Sequence, residues 1–225
     1  MIKPYFEDKG IVLYHSDCRA VLPEIPNESI DLTLTDPPFG NCLEYGRNQL
    51  GSRKISNDDN LDWLPEVSKA LWEIQKNDTT LVWFCQWRTF ADFWNAFVPL
   101  GFKMRTTAVW DKLQPGLSGG GYSEQWEAIN VWRKGEPREQ RNRGNVFGIP
   151  RVPGRPVHPN EKPLRLIISL MEMSSKEGDL VFDPFMGSGT TALAARSTGR
   201  RAICCELDEQ YCEYAARQLQ QQSLF

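Results

Sequence analysis

Apolar residues along the chain fall into two kinds of stretch, short β-favouring runs and longer segments with helical spacing. The short runs predict strands at 11–14, 29–35, 79–84, 102–110, 128–132, 179–182 and 201–205. The segments with helical spacing predict helices at 61–75, 90–97, 163–173, 190–197 and 209–220. Strands that alternate with helices in this order indicate an α/β fold with a mostly parallel sheet.

The connecting segments are richer in glycine, proline and charge. Residues 114–122 are glycine-rich and are predicted to form a loop. Residues 133–157 combine an excess of arginine and lysine with several glycines and prolines, which predicts a basic, irregular insertion in a single domain over 1–225. A solvated loop without a partner is the alternative for this segment.

Composition and charge exclude some classes of protein. No apolar run approaches the roughly 18–20 residues that cross a bilayer, and residues 1–8 lack the apolar stretch of a signal peptide, so a cytoplasmic protein without membrane contact is expected. The net charge of −3 argues weakly against a nucleic-acid partner, but the basic segment outweighs it. The six cysteines form no Cys-x-x-Cys pair, which predicts reduced, mostly buried thiols and no metal site.

Residues 181–191, Val-Phe-Asp-Pro-Phe-Met-Gly-Ser-Gly-Thr-Thr, predict a strand, a glycine turn and a helix start. Gly187 and Gly189 allow backbone N–H groups to approach a ligand. The same spacing, with Glu206 after the next strand, also fits a dinucleotide fingerprint, so a nicotinamide-dependent oxidoreductase stays an alternative. Asp183 favours S-adenosylmethionine, because a carboxylate repels a pyrophosphate and attracts the methionine ammonium.

The turn Asp36-Pro37-Pro38-Phe39 follows a predicted buried strand. Its prolines fix φ and remove two donors, which leaves carbonyl oxygens free. An exocyclic base amine is a poor nucleophile, and acceptance of its hydrogens by Asp36 and the Pro37 carbonyl would expose the nitrogen lone pair. Phe39 can stack on a base that has been flipped out of the duplex. A plain turn is the alternative for the tetrapeptide alone.

The order of these motifs resembles the β-class amino-methyltransferases that act on DNA. The matching segments are Asp17-Cys18, Asp36 to Phe39, His158 to Pro163, Asp183 to Thr191, and Ile203 to Glu206 followed by Tyr211. The resemblance implies a circularly permuted, seven-stranded Rossmann-like sheet with helices on both faces, in which the strand before Asp17 lies beside the Glu206 strand. Ser16 and Asn160-Glu161 depart from the family pattern.

The resemblance also implies S-adenosylmethionine as cofactor, double-stranded DNA as partner, and a set of site residues. The catalytic turn is Asp36, Pro37, Pro38 and Phe39. The implied cofactor contacts are Asp17, Cys18, Asp36, Lys162, Asp183, Phe185, Gly187, Ser188, Gly189, Thr190 and Glu206. For Lys162, capping of the helix that begins at Pro163 is an equal alternative.

Candidate DNA-binding residues lie in two segments. Arg47, Arg53 and Lys54 belong to 41–54, interpreted as a lid over the flipped base, and Arg138, Arg141 and Arg143 belong to 133–157, the candidate target-recognition insertion. Adenine N6 is favoured over cytosine N4, because Asp at the first motif position is typical of the adenine enzymes. A catalytically inactive nucleic-acid-binding module, a homodimer and a restriction-enzyme partner all stay open.

Overall fold

The structure is a computed structural model that describes residues 2–40, 60–116, 121–137, 144–154, 157 and 160–222. The strands are β1 (Phe6–Asp8), β2 (Ile11–His15), β3 (Ile30–Thr35), β4 (Gln75–Cys85), β5 (Lys103–Asp111), β6 (Trp126–Lys134), β7 (Val146–Gly148), β8 (Leu180–Asp183) and β9 (Arg201–Glu206). The helices are α1 (Cys18–Val21), α2 (Leu64–Ile74), α3 (Phe90–Phe97), α4 (Leu164–Ser174), α5 (Thr190–Ser197) and α6 (Glu209–Gln222).

The described strands form a single sheet in the order β1-β2-β9-β8-β3-β4-β6-β5-β7. The strands from β2 to β4 in this order are mutually parallel, whereas β6 runs antiparallel to both β4 and β5. The α/β fold with a mostly parallel sheet is confirmed, and all seven strands predicted from the sequence are present. The described sheet has two more strands than that, β1 and β7, each of three residues at an outer edge.

The chain order brings distant motifs together at the centre of the sheet. Strand β8 lies between β9 and β3, with Val181 opposite Leu32. Strand β2 pairs with β9 so that His15 lies opposite Glu206, which confirms the expected neighbourhood of the Asp17 and Glu206 strands. Four of the predicted ligand-binding turns therefore follow adjacent parallel strands.

Apolar faces of the helices cover the sheet. Helix α2 buries Leu64, Val67, Leu71 and Ile74, the residues whose spacing predicts it. On α3, Phe93 and Phe97 pack against Trp83 of β4 with ring centroids 5.4 and 5.1 Å apart. The five described cysteines are free and buried, as expected. None of the described helices has the length and apolarity to cross a membrane.

Part of the predicted insertion belongs to the sheet. Strand β7 pairs in parallel with β5, Phe147 is buried, and the indole nitrogen of Trp110 donates to the Ile149 carbonyl at 2.7 Å. The prediction of irregular structure is therefore wrong for Val146–Gly148, because one large apolar side chain is enough to anchor a three-residue strand. A role of 133–157 in target recognition stays a prediction.

Candidate active site

The candidate site lies at the carboxyl edge of the parallel strands. Asp36 follows β3, Asp183 ends β8, Glu206 ends β9, and Asp17 follows β2. Because adjacent parallel strands end at the same edge, their terminal side chains converge on one crevice, which is where open α/β sheets bind ligands.

One pocket at this edge collects most of the predicted site residues. Its lining includes Asp17, Cys18, Asp36, Pro37, Pro38, Phe39, Phe185, Gly187 and Glu206, and also Asp208 and Tyr211. None of the described residues that line it is lysine, arginine or histidine, whereas Asp17, Asp36, Glu206 and Asp208 bring four carboxyl groups. Such a lining favours ligands that carry positive charge and hydroxyl donors, and it disfavours a pyrophosphate.

A smaller adjoining pocket collects the rest. Lys162, Asp183, Ser188 and Thr190 line it, and it shares Asp36, Phe185, Gly187 and Asn160 with the first pocket. Gly189 lines neither pocket. It has φ +90°, and a Cβ atom there would lie 2.5 Å from the Ala215 Cβ atom, so only glycine allows α5 to begin this close to α6.

Glu206 organises the glycine turn as well as lining the pocket. Its carboxylate accepts hydrogen bonds from the Gly187 and Asp208 backbone N–H groups, both at 2.8 Å. Burial raises the pKa of Glu206, and these backbone donors oppose that rise. The turn and the carboxylate that the sequence assigns to ribose binding are therefore held in one rigid unit.

Asp183 is buried and connects the glycine turn to the catalytic strand. Its Oδ1 atom accepts from the Thr35 hydroxyl at 2.6 Å and from the Phe185 N–H at 3.1 Å. Burial raises the pKa of Asp183, against the effect of its hydrogen bonds with Thr191 and Thr35. Hydrogen bonds from Thr35 and Phe185 therefore hold in place the carboxylate that the sequence predicts to bind the methionine ammonium.

Asp36 is paired with a lysine 126 positions away in the sequence. The Lys162 ammonium lies 2.6 Å from Oδ2 of Asp36, and the two side chains are 5% and 19% exposed. Oδ1 of Asp36 is buried and has no hydrogen-bond partner among the described residues. Burial raises the pKa of Asp36 to about 6, although Lys162 acts in the opposite direction. The sequence-based alternatives for Lys162 were a cofactor contact or a helix cap, and both miss this ion pair.

Sequence reasoning also missed Glu127. The Glu127 carboxylate lies 3.1 Å from the Lys162 ammonium and 2.7 Å from that of Lys112. Glu127 is the one acidic residue in strand β6, whose other positions near the edge are apolar or aromatic. An acid within an apolar strand signals a buried partner, and that signal was available in the sequence.

The six candidate DNA-binding residues Arg47, Arg53, Lys54, Arg138, Arg141 and Arg143 lie outside the described residues. The described part of the same edge exposes large aromatic side chains instead. Trp87 is 64% and Trp126 51% exposed, and the register that pairs Cys85 with Ala128 directs both to this edge. The Arg88 guanidinium lies 4.6 Å from the centre of the Trp87 ring.

Comparison with known families gives a match to a DNA methylase model for N6 and N4 methyltransferases, which spans residues 30–217. The protein YubD of Escherichia coli (strain K12) is 33% identical over 197 residues, which cover 87% of this chain and 84% of YubD. The DNA adenine methyltransferase YhdJ of the same organism is 27% identical over 256 residues, which cover 95% of this chain and 84% of YhdJ.

Among solved structures, TTHA0409 of Thermus thermophilus, in complex with S-adenosyl-L-methionine, superposes with a TM-score of 0.66. It is 26% identical, and the match covers 92% of this chain and 93% of that one.

Proposed function

The chain belongs to the N6/N4 DNA methylase family, and we propose that it transfers a methyl group from S-adenosylmethionine to adenine N6 in double-stranded DNA. Cytosine N4 is the second candidate. The place of the protein in the cytoplasm is a further part of this proposal, and its oligomeric state is left open.

The acidic lining of the larger pocket is the observation that supports the cofactor. S-adenosylmethionine carries a positive sulfonium, an ammonium and two ribose hydroxyls, and four carboxyl groups line the pocket. Asp17 and Asp36 are paired with Arg19 and Lys162, but Glu206 and Asp208 have no cationic partner among the described residues. A nicotinamide dinucleotide would therefore bring its doubly negative pyrophosphate to two uncompensated carboxyl groups. The described residues therefore fit the sulfonium cofactor and not the oxidoreductase alternative.

Asp36 is the residue that would act on the base amine. S-adenosylmethionine supplies a methyl group on a positively charged sulfur, which makes that methyl the electrophile. Oδ2 of Asp36 is occupied by Lys162, whereas the buried Oδ1 has no hydrogen-bond partner in the described part of the chain. The proposal is that Oδ1 accepts an amine hydrogen when the base enters the site. The Pro37 carbonyl is the proposed second acceptor. Oδ1 can then take the proton that nitrogen loses when the N–C bond forms and the S–C bond breaks.

DNA would approach along the carboxyl edge, since the target base must reach Asp36. The exposed rings of Trp87 and Trp126 offer stacking surfaces there, and Arg88 adds a cation beside Trp87. The proposed lid at 41–54 and target-recognition segment at 133–157 would supply phosphate contacts through their basic residues.

The preference for adenine rests on two observations. Asp, typical of the adenine enzymes, begins the catalytic tetrapeptide at position 36, and the relative YhdJ is a DNA adenine methyltransferase. Both target amines present two hydrogens to two acceptors, so the chemistry of the site accommodates cytosine N4 as well.

Mass spectrometry of nucleosides tests the proposal directly. DNA from cells that lack other methyltransferases and express the protein is digested, and N6-methyladenine is expected. A matched strain that expresses Asp36→Ala provides the baseline. N4-methylcytosine as the main product would transfer the assignment to cytosine, and the absence of both modified bases would reject the function.

A further inference from the structure

Four charged side chains meet next to the catalytic turn. Asp36 and Glu127 are the acids, and Lys162 and Lys112 are the bases, with side chains between 5% and 20% exposed. Pairs of charges this deeply buried are poor devices for stability, because desolvation offsets most of their attraction and apolar residues of similar size often stabilise a fold as well. Their arrangement therefore points to a task in the site.

The contacts divide one cation between two acids. The Lys162 ammonium contacts Oδ2 of Asp36 at 2.6 Å and Oε2 of Glu127 at 3.1 Å. Lys112 contacts the other carboxylate oxygen of Glu127 at 2.7 Å. Lys162 also lies 5.0 Å from the centre of the Phe84 ring, which restricts it further. Lys112 thus holds one oxygen of Glu127, and the other oxygen, which has no hydrogen bond in the described part of the chain, attracts the Lys162 ammonium electrostatically.

Glu127 is placed to act through Lys162 and not on the ligands themselves. It lines neither the larger nor the smaller pocket, whereas Asp36 lines both and Lys162 lines the smaller one. Strand β6, which carries Glu127, is also separated from the cofactor strands β8 and β9 by β3 and β4.

We propose, on the basis of the function inferred above, that Glu127 is a positioning residue for methyl transfer. It holds Lys162 against Oδ2 of Asp36, which leaves Oδ1 directed at the base amine, and it takes up part of the ammonium charge, which keeps Asp36 a strong hydrogen acceptor.

The charges that face Asp36 support a role for Glu127 that acts through Lys162. Burial is the largest influence and raises the pKa of Asp36 to about 6, Lys162 lowers it, and Glu127 and Asp183 raise it further. Burial would also raise the pKa of Glu127, but Lys162 and Lys112 hold that pKa below its ordinary value, so Glu127 stays ionised. Neutralising Glu127 should therefore lower the pKa of Asp36.

The test compares Glu127→Gln and Lys112→Met with Glu73→Gln, the same chemical change as the first variant at an exposed position on α2. Single-turnover methyl transfer to fragments of unmethylated genomic DNA is measured against pH. For Glu127→Gln we expect a maximal rate lower by about 10- to 100-fold, an unchanged KM for S-adenosylmethionine, and an acidic limb about one unit lower in pH. Lys112→Met should lower the maximal rate by less than Glu127→Gln does, because Lys162 still faces Glu127, and Glu73→Gln should match the wild type.

A second measurement does not depend on turnover. Carbon-13 NMR of labelled aspartate, with Asp36→Asn to assign the signal, follows the ionisation of Asp36 in the free protein. A wild-type protein without methyl transfer would reject the proposed function, while this titration would still decide whether Glu127 controls Asp36. Identical Asp36 titrations in the wild type and Glu127→Gln would overturn the inference, as would a slower variant with an unchanged pH profile or a raised KM.

Discussion

Asp36 combines burial with a charge that is present at neutral pH. Burial disfavours a carboxylate, and a lone buried acid would take up a proton and lose its value as an acceptor. Lys162 opposes that effect, so the pKa stays at about 6 and not higher. Oδ2 thereby forms the ion pair with Lys162, and Oδ1 has no hydrogen bond to a described residue. Oδ1 is the proposed acceptor for the substrate.

Replacement of this carboxylate separates catalysis from cofactor binding. Asp36→Ala should abolish methyl transfer, because the amine loses its charged acceptor, and should change the affinity for S-adenosylmethionine far less, since Asp17, Glu206 and Asp208 still line the pocket. Calorimetry and transfer of a tritiated methyl group measure the two effects. Asp36→Asn is the matched control for side-chain volume. Retention of more than about a tenth of the wild-type turnover would remove Asp36 from the mechanism.

The raised pKa of Asp36 predicts how the rate depends on pH. The ionised form accepts the amine hydrogen, and it predominates above the pKa of about 6. The single-turnover rate should therefore be constant at neutral pH and fall as the pH is lowered through about 6. Circular dichroism over the same range controls for acid unfolding. A rate that is flat down to the ordinary pKa of aspartate would show that burial does not perturb this group.

At the scale of elements, the sequence predicts the strands and helices well and their long-range contacts poorly. Periodicity identifies the long elements, whereas β1 and β7 have three residues each, too few to show a period. The resemblance to the β-class methyltransferases implied that β2 would pair with β9, as it does. No local pattern connects Lys162 with Asp36, because α2, α3 and the strands β4 to β7 lie between the two residues along the chain.

Helix α5 begins after a glycine that lies against α6. Gly189→Ala should lower the free energy of unfolding by more than Gly178→Ala does. Both positions have positive φ, +90° and +84°, and share the strain of roughly 1–2 kcal/mol for a left-handed conformation. A Cβ atom at 189 would in addition meet Ala215 at 2.5 Å, whereas no described atom lies within 4 Å of one at 178.

Urea unfolding of the two variants gives the comparison. The overlap with Ala215 should add about 1–3 kcal/mol to the cost at position 189, and calorimetry should show weaker binding of S-adenosylmethionine, because the glycine turn shifts with α5. Equal losses in the two variants would mean that α6 moves away to accommodate the methyl group.

Across the whole molecule, the carboxyl edge of the sheet must bind a positively charged cofactor and also, as proposed, negatively charged DNA. The pocket is lined by acids and the chain carries a net charge of −3, yet the proposed partner is a polyanion. Attraction to phosphates must therefore come from local groups, such as the basic segments predicted at 41–54 and 133–157. Uncharged stacking surfaces avoid the conflict altogether, and the described edge exposes Trp87 and Trp126 in this position.

Trp87→Ala should weaken binding of duplex DNA without changing its dependence on salt. Stacking of a base on an aromatic ring contributes roughly 1–3 kcal/mol, so the Kd should rise between about 5- and 150-fold. The slope of log K against log salt should stay the same, because no phosphate contact is lost. Fluorescence anisotropy over a salt series measures both. Trp94→Ala is the control, since this partly exposed ring packs on Trp132 from α3, with centroids 5.8 Å apart. If both variants bind DNA as tightly as the wild type does, the exposed aromatic edge has no part in recognition. If Trp87→Ala alone makes the slope of log K against log salt less steep, the ring acts by holding Arg88 against a phosphate.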